Sequence, residues 1–254
     1  MRPTLATFGF LMLLSAGIAH ADALLRFADN TGQNSEILVK GNYARMDIAD
    51  GDGGAGFMLF NANDRSLYIV DRTNRTYMAF DEQVVDAQMQ AMEEMIAEMR
   101  TEIQQLPEDA RAELETQLGL GVDRAPVEVE IRTTGQTRQI GELQCEEKEI
   151  RVDGRVQSVA CVTGPDDLGL SRIDFQTLNA LTERLFELSR RALDAGGPVA
   201  RAMSANVLPG LDGVPLEVRH VRDDLVTRLT GLSTDTLSPE FFRIPRTFQE
   251  QEPL

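Results

Sequence analysis

Apolar and polar residues alternate with a period of two along much of the chain, and this alternation predicts β-strands. Three alternating runs separated by Gly and Asn follow residue 23, and three more are joined by polar turns. Short runs of this kind, linked by turn residues, are typical of consecutive antiparallel strands. The first six predicted strands are Leu24–Ala28, Ser35–Lys40, Tyr43–Ile48, Phe57–Phe60, Leu67–Val70 and Thr76–Phe80.

The period becomes helical across residues 82–106, where apolar residues recur at spacings of three and four and form one continuous stripe. Methionines in the stripe have unbranched, polarizable side chains that adapt to irregular apolar surfaces or to a changing ligand. The stripe either packs on the sheet or faces a ligand or a partner. If it faces a ligand, the expected lining consists of Met89, Met92, Ile96 and Met99.

Pro107 closes this helix or starts a short second helix, which Gly119 ends, and strand patterning returns in 127–133 and 141–162. A leucine-rich helical stripe then runs through Phe175 and Leu188. Gly196 and Gly197 are expected to end it, before Pro198 starts a shorter helix that reaches about Val207. The last predicted strands are Val214–Val221, Val226–Leu232 and Phe241–Ile244, followed by a loose tail, Gln249–Leu254.

Together these elements predict an α+β fold in which a curved antiparallel sheet, or an unclosed β-barrel, is covered by amphipathic helices. Residues 22–254 are expected to form a single domain with one helical insertion near 81–119 and a second near 172–207. A curved sheet under a helical cover leaves an apolar cleft between the two layers. Such clefts are common binding places for hydrophobic ligands.

The first 21 residues have the three parts of a secretory signal peptide. Arg2 gives a positive start, Leu5–Ile18 is apolar, and Ala19-His20-Ala21 is a small-x-small cleavage signature. We therefore expect a periplasmic protein whose mature chain begins at Asp22. No second apolar run is long enough to cross a bilayer, so an integral membrane protein is not expected.

Composition narrows the chemistry further. The formal charge of −16, made one unit more negative by loss of Arg2, would repel nucleic acid and anionic membranes. Loss of His20 leaves His220 as the one imidazole, too few for a His-rich zinc site. A Ser-His-Asp arrangement would have to use His220, which lies in a strand-like run and is expected to face solvent or a polar neighbour. We expect no metal, no cofactor and no enzymatic activity.

Cys145 and Cys161 are the two cysteines, and in an oxidising compartment an even pair predicts a structural disulfide. They lie in two strand-like runs joined through Val152-Asp153-Gly154. A three-residue loop with Gly154 in the left-handed conformation would place Cys145 directly opposite Cys161. A two-residue Asp153-Gly154 turn would instead offset them by one residue.

Several motifs together resemble a family of exported bacterial proteins, the DUF4412 type. The resemblance covers most of the chain after the signal peptide and implies a fold rather than an activity. The layout of an unclosed barrel with a helical lid is also similar in architecture to periplasmic lipoprotein carriers of the LolA/LolB kind. The motifs are Gly41–Asp47, Met58–Phe60, Leu67–Asp71, Tyr77-Met78, the Cys145–Cys161 hairpin, Gly213–Arg219 and Phe242–Pro245.

Two functions follow from these patterns. The first is a non-enzymatic periplasmic carrier that holds an acyl chain or lipid-like ligand between the sheet and a Met-rich helical lid. The alternative is a structural or interaction module whose helix 82–106 pairs with a partner protein or with a second copy by coiled-coil packing. The scattered acidic residues form no paired motif that indicates acid/base catalysis.

Overall fold

A computed structural model describes residues 22–48, 56–118, 128–203 and 210–251; the predicted signal peptide, 1–21, lies outside them. The described strands form one twelve-stranded sheet, in which every pair is antiparallel except β12 with β6. The strands are β1 Ala23–Asp29, β2 Asn34–Lys40, β3 Tyr43–Ile48, β4 Gly56–Asn61, β5 Ser66–Asp71, β6 Thr76–Ala79, β7 Val129–Ile140, β8 Leu143–Val152, β9 Arg155–Thr163, β10 Val214–His220, β11 Val226–Ser233 and β12 Gln249–Glu250.

Strand order across the sheet is β12-β6-β5-β4-β3-β2-β1-β11-β10-β9-β8-β7. The first strand pairs with β11, so two hairpin meanders meet in the middle of the sheet. Strands β12 and β7 form opposite edges and do not pair with each other. The predicted class, α+β with an unclosed and mostly antiparallel sheet, is therefore confirmed.

Three helices interrupt the described strands: α1 Glu82–Ile103, α2 Glu108–Leu118 and α3 Arg172–Met203. The prediction that Gly196 and Gly197 end the third helix is wrong, because α3 continues through them and through Pro198. Proline already has a helical φ and removes a single backbone donor, so one proline does not always end a helix. In the described part of the chain, no helix is both long enough and apolar enough to cross a membrane.

Helix α3 covers one face of the sheet, which we call the inner face. Its side chains Leu178, Leu181 and Leu188 are buried there. Near the start of the helix, Thr177 donates a hydrogen bond to the Gly41 carbonyl (2.6 Å), and the Gly41 amide donates one to Asp174 (2.8 Å). These buried contacts fix α3 to the β2–β3 turn. The sheet side of this core includes Leu25, Val39, Ala44, Phe60, Leu67, Val214 and Leu216.

The C-terminal segment covers the opposite, outer face of β1–β5. Phe242 is buried against Phe57 and Val70, and the Arg45 guanidinium lies 4.2 Å from the centroid of the Phe57 ring. The prediction of a strand at Phe241–Ile244 is wrong, because Pro239–Phe242 is a 3-10 turn capped by Ser238. Pro239 and Pro245 have no amide hydrogen to donate to a strand ladder. The expected loose tail is instead paired with β6 at Gln249–Glu250.

The predicted disulfide Cys145–Cys161 is present, with 5.3 Å between the Cα atoms. The expected direct pairing of the two cysteines is wrong, because Cys161 faces Glu147. Asp153 and Gly154 both have positive φ and form a two-residue turn, and an irregularity in β9 after Val156 shifts the register by one more residue. Cys145 is therefore a diagonal neighbour of Cys161.

Candidate functional site

The predicted ligand residues all belong to helix α1. Met89 is half-buried and packs against the inner core, and Met99 is also half-buried. The side chains of Met92 and Ile96 lie outside the described part of the structure. Val84, Val85 and Ile103 are buried near the two ends of α1, whereas Met95 between them is 54% exposed. The helix thus contacts the inner core through Val85 and Met89 near its start, Ile103 is buried near its other end, and Met99 lies four residues before Ile103.

Two arginines of α3 join α1 to α3. Arg184 donates two hydrogen bonds to Glu82 (2.5 and 3.0 Å), and Arg191 donates two to Asp86 (2.6 and 2.7 Å). Hydrogen bonding from Arg184 lowers the pKa of Glu82 to about 2, and hydrogen bonding from Arg191 lowers the pKa of Asp86. Both partners of the Arg191–Asp86 pair are about half exposed, so this pair orients α1 without adding much stability. Arg184 is 9% exposed, and the half-exposed Glu82 neutralises its charge.

A cleft of about 480 Å³ opens beside this seam between α1 and α3. Phe186 and Leu188 give it an apolar lining, and Leu188 also belongs to the inner core. The charged residues at the cleft are Glu82, Glu187, Arg190 and Arg191. This volume lies in the range of pockets that bind small molecules, which is roughly 300–1,000 Å³.

A second polar arrangement crosses the other half of the inner face. Arg138 on β7 is the register partner of Cys145, Glu217 on β10 is the partner of Cys161, and Arg228 on β11 is the partner of Glu217. Direct partners in antiparallel strands point to the same face, so these five residues form a row across five strands. A bulge at Leu216 sets this pairing, because Pro215 faces Val162 while Glu217 faces Cys161.

Three arginines surround the Glu217 carboxylate. It accepts one hydrogen bond from each of them: from Arg138 Nη2 (3.0 Å), Arg219 Nη2 (3.1 Å) and Arg228 Nε (2.9 Å). Burial of Glu217 opposes its ionisation, but the three hydrogen bonds outweigh this effect and lower its pKa. The Arg138–Glu217 pair connects β7 to β10 across the intervening disulfide strands. We call Arg138, Arg219, Arg228 and Glu217 the arginine cluster.

His220 lies on β10, the strand that carries Glu217, but on the outer face of the sheet. Its Nδ1 and the Ser158 hydroxyl are 3.0 Å apart and share a hydrogen bond, and both side chains are buried. A polar neighbour is one of the two environments expected for this histidine. Because Ser158 is closed off from solvent, the pair is not arranged to attack a substrate. In the part of the chain that the structure describes, no three His, Cys, Asp or Glu side chains are grouped to hold a metal ion.

The sequence patterns did not identify the arginine cluster or the two ion pairs of α1. The spacing of four between Glu82 and Asp86 and of seven between Arg184 and Arg191 is a signal, because each pair repeats along one helix face. Glu217 and Arg219 likewise share a strand face in an otherwise apolar run. Neither pattern shows which helix or strand carries the partner residues, so neither predicts the contact.

Comparisons with known proteins give distant structural likenesses. No protein-family model and no curated protein matches the chain. An uncharacterized conserved protein from Thermus thermophilus is similar, with a TM-score of 0.43 and 7% identity over 92% of this chain and 91% of that one. PNGF-II has a TM-score of 0.42 and 7% identity over 91% of this chain, which spans 31% of the PNGF-II chain. Likenesses this remote carry no argument about function, and the resemblance to the DUF4412 type stays a prediction.

Proposed function

We propose that this protein is a non-enzymatic periplasmic carrier for an apolar, acyl-chain or lipid-like ligand, exported by the signal peptide at 1–21. The ligand is held between the inner face and a lid formed by α1, and Met89, Met92, Ile96 and Met99 line its site. The proposal includes the resemblance to the DUF4412-type proteins and the similarity in layout to the LolA/LolB carriers. The disulfide supports an oxidising compartment.

The cleft beside α1 and α3 is the observation that carries this proposal. Phe186 and Leu188 form its apolar wall, and Leu188 is continuous with the inner core, so an acyl chain that enters the cleft meets this wall. The other four lining residues are charged, and Met89 and Met99 do not line the cleft. In the proposal, these two methionines reach the ligand when α1 moves. Burying an acyl chain is favourable by about 0.8 kcal/mol per CH₂ group. A cleft of about 480 Å³ is large enough for part of such a chain.

The two helices are attached to the protein in different ways, and this difference supports α1 as the moving part. Buried leucines and the Gly41 hydrogen bonds attach α3 to the sheet. Helix α1 is attached to α3 through two ion pairs with half-exposed carboxylates and through a few buried residues. The exposed Arg191–Asp86 pair is worth about 0.2–1 kcal/mol, so separating it costs little. Arg184 is 9% exposed, and when Glu82 leaves, Glu187 at 3.7 Å remains to pair with it.

Uptake of N-phenyl-1-naphthylamine, a neutral probe that fluoresces in apolar surroundings, tests the lid. The chain contains no Trp, so protein fluorescence does not obscure the signal. We expect Met89→Asp to reduce uptake about tenfold, because a charge in an apolar lining is strongly disfavoured. The matched control is Met95→Asp on the same helix, where the side chain is exposed and uptake should be retained. If Met89→Asp is folded by circular dichroism and still takes up the probe, α1 is not the lid.

Native mass spectrometry of protein purified from the periplasm separates the carrier from the alternative. A lipid in near-stoichiometric amount, released by denaturing extraction, supports the carrier and gives the ligand class. A lipid-free dimer whose mass depends on concentration supports instead the interaction module with helix 82–106 as its pairing surface. The pairing of α1 with α3 within the chain favours the carrier, because it already covers part of that helix.

A further inference from the structure

We propose that the arginine cluster on the inner face of β7–β11 is an oxyanion site that takes a phosphate monoester group, free or as a lipid headgroup. Its three guanidiniums come from β7, β10 and β11 and converge on the Glu217 carboxylate. Planar guanidinium forks bind phosphate through paired, charge-assisted hydrogen bonds. The proposal does not rest on the carrier function, because inorganic phosphate can bind whether or not an apolar ligand is carried.

The arginine cluster has more positive charge and more hydrogen-bond donors than its carboxylates use, so it can bind an anion. Three guanidiniums face two carboxylates, since Glu147 lies 3.9 Å from Arg138. Each guanidinium has about five N–H donors, whereas one carboxylate accepts about four hydrogen bonds. Glu217 therefore uses a minority of the donors around it. This local positive excess contrasts with a chain whose formal charge is −16.

The cluster is also open on the side where an anion would approach. The Glu217 side chain is 6% exposed and lies beneath the arginines, whereas the Arg219 and Arg228 side chains are 51% and 53% exposed. The buried carboxylate holds the guanidiniums in position before a ligand arrives. Such preorganisation lowers the entropy lost on binding. The bulge at Leu216 turns Glu217 toward the disulfide face and so sets this arrangement.

Calorimetric titration of the purified protein with inorganic phosphate at low salt tests the site. We expect saturable binding with one site per chain. Arg219→Gln and Arg228→Gln should each weaken it about tenfold or more, the loss of one charge-assisted pair. Arg155→Gln is the control, because it removes the same charge from an exposed position on β9. Absence of saturation up to about 10 mM, or equal binding by the wild type and both cluster variants, would overturn the proposal.

A second titration distinguishes the two sources of the phosphate. Dihexanoyl phosphatidic acid carries a phosphate monoester, and dihexanoyl phosphatidylcholine is the matched lipid without one. If phosphatidic acid binds, phosphatidylcholine does not, and Arg228→Gln loses the binding, the site exists and a lipid headgroup is its natural ligand. If inorganic phosphate and phosphatidic acid bind equally well, the site exists and free phosphate is its natural ligand. Equal binding of both lipids by wild type and Arg228→Gln overturns a lipid headgroup as the ligand.

Glu217→Gln separates an anion site from a cluster that only neutralises a buried carboxylate. In an anion site, this change frees donors and adds a net positive charge, so phosphate should bind about tenfold more tightly. If the variant is unstable alone, phosphate should raise its unfolding temperature more than that of the wild type. An unstable variant that phosphate does not stabilise contradicts the proposal, and the exposed Arg219 and Arg228 variants provide the independent test.

Discussion

The two halves of the sheet are stabilised differently. In β1–β6, apolar side chains are buried on both faces, under the helices on the inner face and under the C-terminal segment on the outer face. In β7–β11, β10 contributes Val214 and Leu216 to the inner core, and Ile150, Ala160, Val162 and Val218 form a smaller buried cluster. The inner face of this half also carries the disulfide and the charged row from Arg138 to Arg228. The first half therefore depends mainly on buried area, and the second adds cross-links between strands to a smaller buried area. The arginine cluster, with its solvent-exposed guanidiniums, lies on the second half, where a polar ligand can reach it.

The largest expected effect tests the dependence of the first half on burial. Phe60 on β4 is completely buried, so Phe60→Ala removes a large side chain and leaves a cavity in the inner core. We expect a loss of about 3–5 kcal/mol in the free energy of unfolding, measured by urea denaturation. Tyr43→Ala on the adjacent strand is the control, because Tyr43 is exposed and the loss should be below about 1 kcal/mol. Similar losses for both variants would contradict a burial-dominated first half.

Removal of the disulfide tests the second half and should have the next largest effect. The bond joins residues separated by 16 positions, and the chain-entropy model assigns about 3 kcal/mol to a loop of this size. We expect Cys145→Ala/Cys161→Ala to lose about this amount and to show faster amide hydrogen exchange in β7–β10 than in β1–β6.

Dithiothreitol provides the matched control for this variant. It should destabilise the wild type to the same extent and leave the cysteine-free variant unchanged. Exchange that rises equally in both halves would show that the cross-link stabilises the whole sheet, and the distinction between the halves would then fail.

The regular elements could be predicted from sequence because each depends on local periodicity. Strands β1–β6 and helix α1 differ from their predicted bounds by at most a few residues at either end. The errors lie where one residue changes the pattern. After Val156 the pairing register of β9 with β8 shifts by one residue, so each residue from there to Cys161 has a different partner. No side chain in β9 signals this shift. At Phe241, apolar residues resemble a strand, but flanking prolines and the Ser238 cap form a 3-10 turn.

The candidate sites were predictable only where their residues lie on one element. The methionine stripe is a property of α1 alone, so its spacing is visible in the sequence. The arginine cluster joins residues 79 positions apart, Arg138 and Glu217, and its geometry depends on the bulge at Leu216. Strand pairing over that distance is set by the whole sheet. A single sequence therefore shows that these charged residues exist but not that the fold brings them together.

The smallest expected effect tests the converse, that a half-exposed carboxylate contributes little to the stability of the apolar half. Glu82 has a folded pKa of about 2, below its ordinary value of 4.5, because Arg184 stabilises the ionised form. Its contribution is therefore fully present above about pH 5 and is lost as pH falls toward 2. Because Glu82 is half exposed, this contribution should be about 0.2–1 kcal/mol.

Glu82→Gln measures this contribution, since the amide keeps the shape of the side chain and removes its charge. The difference in unfolding free energy between wild type and Glu82→Gln should be constant from pH 7 to about 5 and should shrink at lower pH. Repeating the pair in an Arg184→Gln background should remove the pH dependence, because the cation that lowers the pKa is absent. A loss of several kcal/mol at pH 7 would mean that the seam between α1 and α3 is a main stabilising contact. Helix α1 could then not separate at low cost, and the lid would have to be sought elsewhere on the inner face.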